Sequence, residues 1–230
     1  MSQDVLDDLG FTYDIVRSKR KSAAIHVKAN TVQVRIPYFV DDAWALDFLC
    51  NKAPWVRRKL AQQQQQSQLI PQIKDGSQIL WLGQTMTLSF VPAHKGIHLE
   101  GEKIRLGCNK AEQAIAELQQ FFKQQARVYM ITRTQLLAEK FGLDHLLQQV
   151  RFRRTKSKWG HCTSQGVIQY NWLIMGAPVS VIDYLICHEL SHLIHPNHSK
   201  AFWQHVETMC PDYKTQQAWL KQNSVALSWC

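Results

Sequence analysis

The chain has 230 residues, room for one large domain or two small ones, and its 45% hydrophobic and 20% charged residues describe a protein with a buried core, not a disordered tail. No apolar run approaches the roughly 18 to 20 residues of a membrane helix, and the acidic start (Asp4, Asp7, Asp8) carries the wrong charge for a signal peptide. Twenty-seven Lys and Arg against eighteen Asp and Glu leave a net +9, a surface that attracts polyanions.

Phe11 to Val16, Ala24 to Val27 and Val32 to Ile36 alternate as strands do, and Pro37 stops the last of them. Asp41 reads as a helix cap for Ala43 to Leu49, and Pro54 suits the first turn of a second helix carrying Trp55, Val56 and Leu60. The run Gln62 to Gln66 reads as a solvated helix end running into a linker. Residues 76 to 107 read as short strands broken by Gly83, by Pro92 to Gly96 and by Gly101. From Ala111 a helical stripe runs through Ile115, Leu118, Phe121, Phe122, Val128, Tyr129, Ile131, Leu136 and Leu137, with Gly142 placed as a C-cap glycine. Val150 to Arg154 and Val167 to Trp172 read as extended around a turn-rich Lys156 to Gly166. Pro178 then opens a helix through His192, Ser199 caps another, and Pro211 starts the last. The fold class is α+β: a β-rich part over 1–108, with a helical insertion at about 41–66, followed by an α+β part over 109–230.

Two stretches concentrate the positive charge: Arg17, Lys19, Arg20, Lys21 and Lys28, then Arg151, Arg153, Arg154, Lys156 and Lys158. They are either solvated strand faces or a site for nucleic acid or another acidic partner. The six cysteines form no C-x-x-C pair, which argues against a disulfide framework and a four-cysteine zinc site. The expected compartment is the reducing cytoplasm.

His188-Glu189-Leu190-Ser191-His192 carries the chemistry. Positions i and i+4 of a helix share a face, so both imidazoles can address one Zn²⁺ at about 2.0 to 2.1 Å. Glu189, turned about 100° from His188, lies within reach of a water at that metal without being a ligand. A catalytic zinc needs a third protein ligand and an open position. His195 and His198 compete for it. Pro196 biases His195 away from helical geometry, while the Pro196-Asn197 turn can fold the chain back and favours His198. Lys158, His161 and Tyr213 are candidates for stabilising an oxyanion. Asp183 is a candidate partner for a nearby base, Cys187 reads as a small buried apolar residue, and Trp159, Trp172, Trp203 and Trp219 read as core and site-wall packing.

Trp159-Gly-His-Cys162, Asn171-Trp172, the H-E-x-x-H segment and His198-Ser-Lys-Ala-Phe-Trp203 together resemble the YgjP-like metallopeptidase domain. More distantly, they are similar to the SprT, Spartan and WLM zinc peptidases, whose core is a small gluzincin-type unit. The resemblance extends to Arg17–Ser22 and Val34–Pro37 and so covers most of the chain; it departs from the family at His161, where Ser is usual. It implies one zinc ion held by His188, His192 and His198, with Glu189 as general base in peptide hydrolysis. In the resembling folds an edge strand, here Val167 to Trp172, holds the peptide by backbone pairing. The expected partner is therefore a peptide or protein substrate. Two other functions are consistent with the sequence: a nucleic-acid-associated protein whose zinc unit acts on bound proteins, and a non-catalytic zinc-stabilised interaction module.

Overall fold

The computed structural model describes residues 9–28, 31–155 and 157–230. Asp4, Asp7, Asp8 and Lys156 lie outside them. The chain forms two compact units, Met1–Leu69 and Ile70–Cys230. Among the described residues no helix is long and apolar enough to cross a membrane.

In the first unit, strands β1 (Tyr13–Ser18), β2 (Ala24–Lys28) and β3 (Thr31–Pro37) form a sheet in the order β1-β3-β2. The central β3 runs parallel to β1 and antiparallel to β2. Its period of two sends Val32, Val34 and Ile36 into the core and leaves Thr31 and Arg35 exposed. Helix α1 (Asp42–Gln68) answers with Ala45, Leu49, Ala53 and Val56, one stripe at spacings of four and three. Asp41 caps it, its carboxylate accepting from the Trp44 amide at 2.7 Å. The two helices expected here are one: Pro54 lies inside α1, on its exposed side, where water can reach the carbonyl left without a donor. The glutamine run forms the end of this helix, as expected, and the helix stops at Gln68, just before the unit boundary.

The second unit begins with β4 (Gln78–Trp81), β5 (Gln84–Phe90), β6 (Ile97–Glu100) and β7 (Lys103–Leu106), ordered β4-β5-β7-β6. Leu82 (φ 47°) and Gly83 (φ 82°) join β4 to β5 in a two-residue hairpin with both residues left-handed. That tip meets the segment Trp172–Gly176, the Leu82 and Gly83 amides donating to the carbonyls of Met175 (2.9 Å) and Gly176 (3.0 Å). Gly83 is required twice over, since a Cβ there would come within 2.7 Å of Pro178.

Helix α2 (Ala111–Lys140) crosses this unit. Its buried face is Ala114, Leu118, Phe122, Ala126, Met130, Thr134, Leu137 and Ala138. Val128 and Leu136, expected on the apolar stripe, are instead exposed: small side chains at spacings of four fix the face, and the larger residues beside it fall outside. The C-terminus is a Schellman motif, the Gly142 amide donating to Glu139 and the Leu143 amide to Ala138, with Gly142 at φ 67°. Phe122 is fully buried against the rings of Trp81, Trp172 and Trp229. Phe122→Ala is therefore expected to cost about 3 to 5 kcal/mol, read as a lowered midpoint in urea at unchanged m-value.

Sheet strands β4 to β7 bury Ile79, Trp81, Met86, Leu88, Ile104 and Leu106 in the same core as α2 and the helices that follow. This corrects the expected division near residue 108; the units part at Leu69 and Ile70. The polar run that ends the first helix marks the boundary, whereas the return of helical periodicity at Ala111 does not.

A third sheet follows: β8 (Gln149–Phe152), β9 (Gly160–Cys162) and β10 (Val167–Tyr170), ordered β8-β10-β9. The segment expected as the substrate-holding edge, β10, is central, paired with β8 on one side and β9 on the other. The edge facing the helices is β9, inside the stretch that reads as a turn. Asn171 holds the loop leading to it: its side chain donates to the Thr155 carbonyl (3.1 Å) and accepts from the Leu173 amide, and its own amide donates to the Trp159 carbonyl (2.7 Å). Helices α3 (Val179–Ser191), α4 (Lys200–Met209) and α5 (Tyr213–Asn223) complete the unit. Arg133 of α2 and Asp183 of α3 form a bidentate pair at 2.8 and 2.7 Å, so Asp183 partners an arginine and no histidine.

Candidate metal centre

Val181, Ile182, Leu185, Ile186 and Leu190 bury α3 and hold its last turn in the core. His188 projects from that turn. His192 follows as the C-cap residue, still in helical conformation, and the two ring centroids lie 5.1 Å apart. The chain then turns through Pro196 and Asn197, and Ser199 caps α4 by accepting from the Phe202 amide. That reversal brings His198 back to 5.1 Å from the His188 ring and 4.7 Å from the His192 ring. One ring nitrogen from each histidine lies within 4.8 Å of the others.

The first turn of α4 supports this arrangement. Phe202 stacks on His192 at 4.4 Å and Trp203 on His198 at 5.7 Å, while Tyr213 backs Trp203 at 5.4 Å. Tyr213 is thus spent on packing and does not line the cleft. His195, the competing third histidine, contributes its backbone: its carbonyl lies 2.9 Å from His192 Nδ1. A proton on Nδ1 bonded there leaves His192 Nε2 with a free lone pair. The His195 ring faces His205, whose Nδ1 donates to Ser191 Oγ at 3.0 Å as that hydroxyl donates to the Cys187 carbonyl. Cys187 itself is buried toward Met209, its thiol pushed up to about 12 by burial.

Burial, then the neighbouring His192 and His198, hold His188 down to about 3, and burial lowers His192 as well. Both rings are neutral at neutral pH, the state in which imidazole is a ligand. The Nε2 atoms of His188 and His198 stand 3.1 Å apart, close to the roughly 3.4 Å edge of a tetrahedron with zinc–nitrogen bonds of about 2.0 to 2.1 Å. Three converging imidazole nitrogens, with no fourth protein donor among the described residues, fit a divalent ion of zinc type that keeps one position open.

Glu189 is 3% exposed, and its Oε2 has no hydrogen-bond partner among the described residues. Burial pushes its carboxyl up from an ordinary 4.5 to about 8, opposed by the charge of Lys158. Gly160 of β9 lies directly on it: a Cβ there would fall 2.2 Å from Oε1. Lys158, Trp159, His161 and Cys162 line the same cleft as the histidines and Glu189. The Cys162 thiol is raised to about 11, first by burial and then by Glu189, which keeps it protonated. Two contributors escape a reading of the sequence. Tyr184 lines the cleft one turn before His188, a spacing of four that the sequence does display; Gly160 is identified only by what packs on it.

In the metal-free protein the raised Glu189 carboxyl makes ionisation a cost of folding. That cost begins near pH 4.5, where the unfolded carboxyl ionises, grows up to about pH 8 and is then constant. Glu189→Gln is therefore expected to raise the melting temperature in chelator at pH 8.5 by more than at pH 5. An equal shift at the two pH values would contradict the burial of the charge.

Fold and site together describe an α+β unit with a candidate centre for a divalent metal, and the family match makes its class that of a metal-dependent peptidase. The model of the YgjP-like metallopeptidase domain matches residues 21–223, and the chain belongs to that family. Among solved structures, the metallopeptidase zymogen abylysin of Pyrococcus abyssi matches at 21% identity, with 40% of this chain and 93% of that chain covered and a TM-score of 0.37. No curated protein matches by sequence.

Proposed function

We propose that this protein is a zinc peptidase in which His188, His192 and His198 hold the ion and Glu189 is the general base. One observation carries the reading: three imidazole nitrogens converge beside a buried carboxylate, whose Oε2 has no hydrogen-bond partner among the described residues, in a cleft bordered by an edge strand. Zinc, when bound, supplies Lewis acidity, which acidifies water and polarises a carbonyl.

The chain's own groups do the rest. The outer edge of β9 offers backbone donors and acceptors to an extended peptide, aligning the scissile bond along the cleft. Glu189 takes the proton of the attacking water at a carboxylate oxygen and passes it to the leaving nitrogen. Its raised affinity for a proton suits both halves of that transfer. Lys158 and His161 border the cleft as donors for the developing negative charge, and Tyr184 joins them. Among the described residues the six cysteines are free, which supports a reducing compartment, the cytoplasm.

The test compares new protein N-termini in a cell lysate treated with zinc-loaded protein, with chelated protein, and with chelated protein given zinc again. Termini that appear, vanish and return with zinc are expected. Identical termini in all three samples would remove peptidase activity and leave a zinc-stabilised interaction module.

A further inference from the structure

Peptide hydrolysis makes no use of the basic side chains of the first unit. Of the Arg17 to Lys28 run, Arg17 is structural: it donates to the Tyr38 and Val40 carbonyls and to Asp42. The fold gathers another set, which shares only Lys28 with that run. Two clefts between the β2–β3 hairpin and α1 share Ile25 and Trp55, and so form one continuous groove. Lys28 and Arg35 stand on its strand wall; Lys52, Arg58 and Lys59 stand on its helix wall. All five are exposed, and no Asp or Glu lines either cleft. None of the five is in an ion pair among the described residues; Arg35 and Lys59 bond only the neutral side chains of Gln33 and Gln62. Trp55, 38% exposed, lies where the two clefts join.

We propose that this groove binds single-stranded nucleic acid, with the five basic side chains on the phosphates and a base stacked on Trp55. Positive charge on both walls tracks a phosphate backbone, and the absence of lining acids removes the repulsion that would reject it. The aromatic floor selects among polyanions. A single strand presents the faces of its bases, a duplex keeps them stacked inside, and an acidic peptide has no such face. The groove charges come from α1, β2 and β3, so of the five only Lys28 belongs to either basic stretch singled out in the sequence.

The experiment is fluorescence anisotropy of a labelled oligothymidylate of about 15 nucleotides with the full-length protein, over a series of salt concentrations. With five phosphate contacts the slope of log K against log salt is expected near −3.5, since each contact on a single strand contributes roughly −0.7. Reversing Lys52, Arg58 and Lys59 to Glu should bring the slope to about −1.4 or shallower. Neutralising Lys28 and Arg35 to Gln should reduce it from the other wall. Trp55→Ala should weaken binding roughly tenfold at unchanged slope, while Trp55→Phe retains most of it. Melting curves identify the folded variants. Binding by folded variants equal to wild type, or no binding at low salt, would overturn the proposal. So would competition by duplex DNA or polyglutamate as effective as that by the unlabelled single strand.

Discussion

Glu189→Gln is expected to stop peptide hydrolysis while one zinc ion per chain remains. The amide fills the place of the carboxylate but cannot accept a proton, so kcat should fall by about 10² to 10⁴, with KM little changed. The three histidines proposed to gather the metal come from the end of α3 and the turn before α4, and none of them hydrogen-bonds Glu189 among the described residues. Metal content by mass spectrometry and turnover on a peptide identified in the lysate are the two readouts. Retained turnover would remove Glu189 from proton transfer. Loss of zinc together with turnover would make it a ligand instead of a base.

Gly160→Ala should lower kcat by roughly 100-fold without touching a titratable group, because it misplaces the base by about 1 Å. The added methyl would sit 2.2 Å from Glu189 Oε1 and 2.6 Å from its Cγ and Cδ, separations that real atoms do not hold. Either the carboxylate turns away or β9 moves outward; each separates the base from the strand proposed to align the peptide. Zinc content should stay at wild-type level. Pairing Gly160→Ala with Glu189→Asp shortens the crowded side chain by one methylene and should recover part of the loss. A double variant no better than Gly160→Ala alone would show that the damage lies in β9, not in the carboxylate.

The cluster of His188, His192 and His198 is legible in the sequence because its geometry is local. His188 and His192 share a helix face by spacing alone, and the Pro196-Asn197 turn is marked by its residues. The choice between His195 and His198 is equally local: one lends its carbonyl, and the other its ring. The partner of Glu189 is not local. Gly160 reaches it from a strand 29 positions earlier in the sequence, and nothing near either residue announces the approach. The same limit explains the exchange of roles between β9 and β10. A three-residue strand inside a turn-rich stretch shows no period, whereas a run of alternating residues looks alike at the edge or in the centre of a sheet. In α2 the apolar stripe misleads for another reason. Ala114, Ala126 and Thr134 define the buried face by being small, and hydrophobic pattern gives small residues little weight.

The shared core of the second unit decides how far this protein can be cut down. A fragment starting at residue 109 would strip Trp81, Leu88, Ile104 and Leu106 from α2 and leave Leu118 and Phe122 open to water. It would also remove the hairpin tip that holds Met175 and Gly176 just ahead of the helix bearing His188. Such a piece would keep every proposed metal ligand and aggregate through its uncovered aromatic face. The compact unit that holds this core begins at Ile70, so the small sheet at its start is the foundation on which the histidines stand.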